Sequence, residues 1–168
     1  MMGRTSIAPS HAPGMVAAVA MEAPSHGDPK SINDMQTSLF RAMVEADPQQ
    51  YVRGQFDGYR EIDGVAPDST TETFCALQLE IENWRWSGVP FFIRTGKLLP
   101  VTATEIRVEL KRPPQAVFDR LPSTPNYLRF RLSPDVAISV GARVKTPGED
   151  MVGESVELML RHVAGDEM

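Results

Sequence analysis

"TEIRVELK" (104–111) places Ile106, Val108 and Leu110 on one side of the backbone and Glu105, Arg107, Glu109 and Lys111 on the other. Side chains of an extended chain alternate between two faces, so this is a strand with one apolar and one charged face. "YLRFRL" (127–132) repeats the pattern, with Leu128, Phe130 and Leu132 set against Arg129 and Arg131. "VAISVGARV" (136–144) and "ESVELMLRH" (154–162) continue it through Val136, Ile138 and Val140, then Val156, Leu158 and Leu160, with the turn "KTPGED" (145–150) between them. Strands this close together, joined by Pro/Gly turns and not by helical crossovers, predict an antiparallel sheet with a polar and an apolar face.

Upstream, "ETFCALQLEIENW" (72–84) alternates Thr73, Cys75, Leu77, Leu79 and Ile81 against Gln78, Glu80 and Glu82, a long strand. Before it the period changes. "SINDMQTSLFRAMVEAD" (31–47) spaces Ile32, Met35, Leu39, Phe40, Met43 and Val44 at helical intervals behind Ser31 and Asp34 in capping-box-like positions, and predicts one amphipathic helix ending near Asp47-Pro48. The class that follows is α+β: a helical N-terminal part followed by a large, mainly antiparallel β-sheet.

The 168 residues make one ordinary domain, long enough to bury roughly 70% of the surface of the unfolded chain. A formal charge of −5 without a basic block argues against a nucleic-acid backbone binder and leaves room for a local basic pocket that takes one small anion. Cys75 is the single cysteine, so there is no internal disulfide and no sign of an oxidising compartment; cytoplasm is the simplest assignment. "GMVAAVAM" (14–21) is far shorter than the roughly 20 apolar residues a membrane span needs, and His11 with two prolines spoils a secretory signal. Residues 1–14 read as a disordered or frayed start before a domain over 15–168.

No Gly-x-Gly occurs, so the glycine-rich turn that cradles a dinucleotide pyrophosphate is absent from these residues. His11, His26 and His162 are scattered without partners at metal-ligand spacing. Spacing therefore assigns neither a catalytic residue nor a metal site. Trp84 and Trp86 in "NWRW" read as packing anchors, Asp68 as a turn former, Glu80 and Glu82 as a solvated strand face, and Cys75 as buried core.

The stretch "YVRGQFDGYREIDGVAPDSTTETFCALQLEIENWRWSGVPFFIRTGKLLP" (51–100) resembles the second, C-terminal domain of glucose-6-phosphate dehydrogenase, in "VRGQ", "DGYRE", "GVAPDSTTETF", "NWRW-GVPF" and "RTGK", in order. "VAMEAP" upstream and "TEIRVELKRPP" and "VKTPG" downstream extend the likeness to roughly residues 15–160. The resemblance implies part of a two-domain enzyme that oxidises glucose 6-phosphate to 6-phosphogluconolactone with NADP. The family's glycine-rich fingerprint and its proton-accepting histidine would lie before residue 1, and its last helix beyond residue 168. The piece is then expected to be inactive alone, pairing as a homodimer through the sheet or with a nucleotide-binding half. The alternative is a non-catalytic relative that serves as an interaction module.

Several residues take roles only through this resemblance. A lysine in a turn ordinarily faces water, but Lys97 aligns with the Arg-x-Gly-Lys lysine that contacts the sugar phosphate. Arg94, Arg107 and Arg131 align with arginines that hold a second, structural NADP in some members. Ala103 and Ser139 stand where those members carry a lysine and a tyrosine, and Thr102 and Ser133 where the family has a basic residue and a glutamine near the substrate.

Overall fold

The computed structural model describes residues 2–6, 12–116, 118 and 124–161. Its elements are β1 (Met2–Ser6), α1 (Ala12–Ala20), α2 (Pro29–Arg41), β2 (Tyr51–Gly54), β3 (Phe74–Leu79), β4 (Phe91–Gly96), β5 (Thr104–Glu109), β6 (Tyr127–Ser133), β7 (Ala137–Lys145) and β8 (Gly153–Arg161). Among the described residues the strands form one sheet in the order β2-β3-β4-β1-β5-β6-β7-β8. Neighbours run antiparallel except β1 with β4. The α+β class and the mainly antiparallel sheet follow the sequence expectation. The backbone of Met2–Ser6, in the stretch expected to be frayed, lies between β4 and β5 and links a three-strand ribbon to a four-strand one.

The two-residue period decides what each face of the sheet carries. Ile106, Phe130, Ile138 and Leu160 fall in one row across β5–β8, and Val108, Leu128, Val140 and Leu158 in the next. On the opposite face Arg107, Arg129 and Ser139 share a row. The helices cover the other ribbon, where Ala17, Ala20, Leu39 and Ile81 form a buried cluster flanked by Trp86 and Phe91, while Val16 packs on Ile93. Alanines at 17 and 20 let α1 come close to its neighbours, and the Trp86 indole N–H reaches the Ala20 carbonyl at 2.8 Å, satisfying an acceptor left open at a helix end. The apolar rows of β7 and β8 stay exposed, with Leu158 at 70% and Leu160 at 77%.

Local chemistry shifts the expected boundaries. α2 is capped by Asp28, whose carboxylate accepts from the Lys30 and Ser31 amides at 3.0 Å each, with Pro29 pre-set for the first turn. Ser31 donates its hydroxyl to Asp28, and Asp34 pairs with Lys30 at 2.8 Å, so neither forms the expected capping box. The helix stops at Arg41, short of Asp47, because Met43 bridges Ile81 and the Val44 amide donates to the Glu80 carbonyl. Those bonds also replace the last residues of the long strand expected over 72–84. Trp86 is a packing anchor, set edge-on to Phe91 at 5.2 Å, but Trp84 is fully exposed at the tip of a turn in which the Asn83 side-chain Oδ1 accepts from the Arg85 and Trp86 amides. Cys75 is half-buried and not fully buried. His11 and His162 lie outside the described residues.

Ile81 joins α1, α2 and the sheet at 1% exposure. Ile81→Ala should lower unfolding free energy by about 2–5 kcal/mol and Ile81→Val by about 1 kcal/mol, read from urea denaturation midpoints at unchanged slope.

Candidate functional site: the Lys97 turn and the arginine face

Three strands converge beneath Lys97. Gly96 at the end of β4 pairs with Phe74 at the start of β3, and a Cβ at 96 would meet the Phe74 ring at 2.9 Å and the Thr73 carbonyl at 3.2 Å. A side chain at 96 would force the Phe74 ring or the Thr73 carbonyl to give way. The Lys97 amide donates to that Thr73 carbonyl at 2.8 Å, and Leu98 follows at φ 51°, in the left-handed region that side chains rarely adopt. The Thr73 amide donates to the Gly54 carbonyl at 3.0 Å, and the Thr73 hydroxyl accepts from the Phe56 amide at 2.9 Å. The connecting loop is bonded to itself as well: the Gln55 side chain donates to the Ser69 and Thr71 carbonyls and accepts from Arg60. Lys97 thus leaves a braced turn into solvent, and its ammonium has no ion-pair partner among the described residues. Such a group can donate to an oxyanion.

Arg94, Arg107 and Arg131 lie on the polar face, away from the Lys97 turn. Arg94 and Arg107 line an open groove of about 580 Å³ together with Gln50, Gln78 and Glu105. The structure brings those two arginines together, and Arg131 reaches the groove only through Glu105, at 3.6 Å. Two of the three already face carboxylates. Arg107 Nε lies 3.2 Å from a Glu109 oxygen, near enough for charge attraction though not aligned for a hydrogen bond. Its guanidinium also stacks on the Tyr127 ring, 3.9 Å from the centroid. Ser139, at 1% exposure, bonds to Glu157 under this face. To hold a structural NADP, Arg107 and Arg131 would have to exchange these carboxylates for phosphate oxygens, whereas Arg94 has none to give up among the described residues.

The face holds a network that sequence reasoning missed. Arg107 and Arg129 stand directly opposite each other in β5 and β6, a repulsive pair unless each is neutralised. Tyr127 supplies an aromatic surface to both, and Glu157 pairs with Arg129. Partial burial pushes the Glu157 carboxyl up, but hydrogen bonds from Ser139, Tyr127 and Arg129 more than offset it and hold it below the usual range. Alternation alone puts Tyr127 on the arginine side of β6; Glu157 required the β7–β8 register.

Comparison with known proteins gives a consistent picture. Residues 6–167 match the family model described as glucose-6-phosphate dehydrogenase, C-terminal domain. Glucose-6-phosphate 1-dehydrogenase 1 of Mycobacterium tuberculosis is 47% identical over 128 residues, which span 75% of this chain and 28% of that protein. Glucose-6-phosphate 1-dehydrogenase of Aggregatibacter actinomycetemcomitans is 39% identical over 167 residues, 91% of this chain and 34% of that one. The crystal structure of glucose-6-phosphate 1-dehydrogenase from Mycobacterium avium superposes with a TM-score of 0.86 at 35% identity, covering 95% of this chain and 40% of that one. A glucose-6-phosphate dehydrogenase in complex with its substrate glucose-6-phosphate gives 0.83 at 27% identity, covering 95% of this chain and 39% of that one. The chain thus spans about a third of the length of the curated relatives it matches.

Because the folded Glu157 carboxyl titrates below its unfolded value, its contribution to stability is complete above the ordinary carboxylate range and is lost as pH falls through the lowered one. Thermal melts of the chain and of Glu157→Gln should differ near neutral pH and converge once pH has fallen below the ordinary carboxylate range.

Proposed function

The chain belongs to the glucose-6-phosphate dehydrogenase family, and from that premise we propose that it supplies the sugar-phosphate side of that enzyme's site. In this reading Lys97 binds the substrate's phosphate and holds the sugar in place. The observation that carries it is the braced turn: a glycine crowded by Phe74 and Thr73, a left-handed leucine and a bonded amide together present one ammonium that has no ion-pair partner among the described residues. A turn of purely connecting character has no need of such over-determination.

Oxidation of the sugar requires a base to take the hydroxyl proton while hydride leaves the carbon for a nicotinamide held close by. Neither a glycine-rich phosphate loop nor a base oriented on the sugar belongs to this proposed site, so both provisions fall to a nucleotide-binding half. Orientation of that kind accounts for about 7–11 kcal/mol of barrier in well-placed reactions. The contribution of these residues is binding and positioning. The oxidoreductase activity, use of NADP in the pentose phosphate pathway, a cytoplasmic setting and dimerisation through the sheet all belong to this proposal. A second reading, a non-catalytic module that pairs with other subunits, draws on the exposed apolar rows of β7 and β8, which exceed what isolated surface leucines require.

The deciding experiment mixes the chain with a separately expressed nucleotide-binding domain from an intact relative and follows reduced nicotinamide by absorbance. We expect no turnover by the chain alone, turnover in the mixture, and a large loss in Lys97→Ala. Turnover by the chain alone refutes the division of labour, and an inert mixture favours the module. In a separate measurement, millimolar NADP should leave the melting temperature unchanged, because Arg107 and Arg131 already face carboxylates. A rise that vanishes in Arg107→Ala would restore the structural-nucleotide role to Arg94, Arg107 and Arg131.

A further inference from the structure

Glu72 lies just before β3, outside every strand ladder, and its carboxylate is held at both oxygens. The Tyr51 hydroxyl donates to Oε2, and Arg53 Nη1 donates to Oε1 at 3.2 Å. Both donors stand on β2, two residues apart and therefore on one face of that strand. The next peptide along is Thr73, whose carbonyl receives the Lys97 amide and whose amide and hydroxyl are bonded to Gly54 and Phe56. Bonding to Glu72 and partial burial push the Tyr51 hydroxyl up to about 12, so it keeps its proton and remains a donor at neutral pH.

We propose that Glu72 is a positioning residue for Lys97: it clamps the chain to β2 so that the Thr73 carbonyl holds the Lys97 turn in one conformation. This rests on the reading of Lys97 as the sugar-phosphate contact. The physical requirement is visible at Leu98, whose left-handed backbone persists only where its surroundings over-determine it. The Thr73–Lys97 bond is the direct restraint on that turn, and Glu72 is the residue whose side chain fixes the approach to Thr73. An exposed ion pair between Arg53 and Glu72 alone is worth little. The partly buried hydroxyl of Tyr51 gives the carboxylate a second, directional hold.

The test reads amide hydrogen exchange of the full chain by NMR at fixed pH. In Glu72→Ala the Lys97 amide should exchange about tenfold faster or more, while amides of the β7–β8 ladder keep their rates. Tyr51→Phe, which retains the ring, should give a smaller rise at the same amide, and Glu72→Gln should recover part of the protection. Unchanged Lys97 exchange in both Glu72→Ala and Tyr51→Phe overturns the proposal, as does an equal rise throughout β7–β8, which would make Glu72 a matter of general stability. In the mixed assay with a nucleotide-binding domain, Glu72→Ala should raise KM for glucose 6-phosphate with kcat little changed. If Lys97→Ala raises KM and Glu72→Ala does not, positioning is refuted. If Lys97→Ala itself leaves KM unchanged, the substrate reading of Lys97 fails, while the exchange rates still decide whether Glu72 braces the turn.

Discussion

Every polar backbone or side-chain group of Thr73 is committed. Its amide is bonded to β2 through Gly54, its hydroxyl to the loop through Phe56, and its carbonyl to the turn beyond β4 through Lys97. The residue is 7% exposed, so each bond forms away from competing water and the loss of any one would strand a buried group. Three strands are tied to a single residue. Gly96 sits against this bond, since a Cβ there would crowd the Phe74 ring at 2.9 Å and the Thr73 carbonyl at 3.2 Å and one of them would have to give.

The two halves of the sheet solve different problems. In the β2–β4 ribbon, apolar side chains find cover under α1 and α2, and a small number of large residues, Ile81 and Trp86 among them, connect the layers. Over β7 and β8 the helices give way and the apolar rows face outward, while the opposite face of β5–β8 gathers arginines and glutamates into pairs. Charges on neighbouring strands would repel along the Arg107–Arg129 row; interleaved carboxylates and the Tyr127 ring make the row tolerable. Of the arginines whose alignment points to a nucleotide, Arg131 pairs across strands with Glu105, Arg107 lies between Glu109 of its own strand and the Tyr127 ring of the next, and Arg94, exposed on β4, lacks a carboxylate within ion-pair distance among the described residues.

The strands from 104 onward were legible because a two-residue period survives any tertiary context that buries one face. Lys97 was legible through its motif. α1 was not, because an alanine-rich stretch has little amphipathic contrast and becomes a helix by packing Ala17 and Ala20 into the core. β1 was not, because "MGRTS" has no strand pattern and owes its conformation to the neighbours on both sides. Trp84 and Trp86 belong to one residue type and one motif, yet a turn points one at solvent and the other into the core. The Tyr51–Glu72 contact joins residues 21 apart, and only the β2–β3 register reveals it.

Gly141 in β7 lies beneath the Tyr127 ring, which occupies the space any side chain at 141 would need. Tyr127 in turn is the platform on which Arg107 rests. A residue with no side chain therefore governs a charge two strands away. Even an alanine at 141 would have to evict the ring, leaving two facing arginines without their shared screen. In a lineage of such proteins, positions 107, 127 and 141 should accordingly change as a set, so that a departure from glycine at 141 is accompanied by the loss of the aromatic ring or of one arginine.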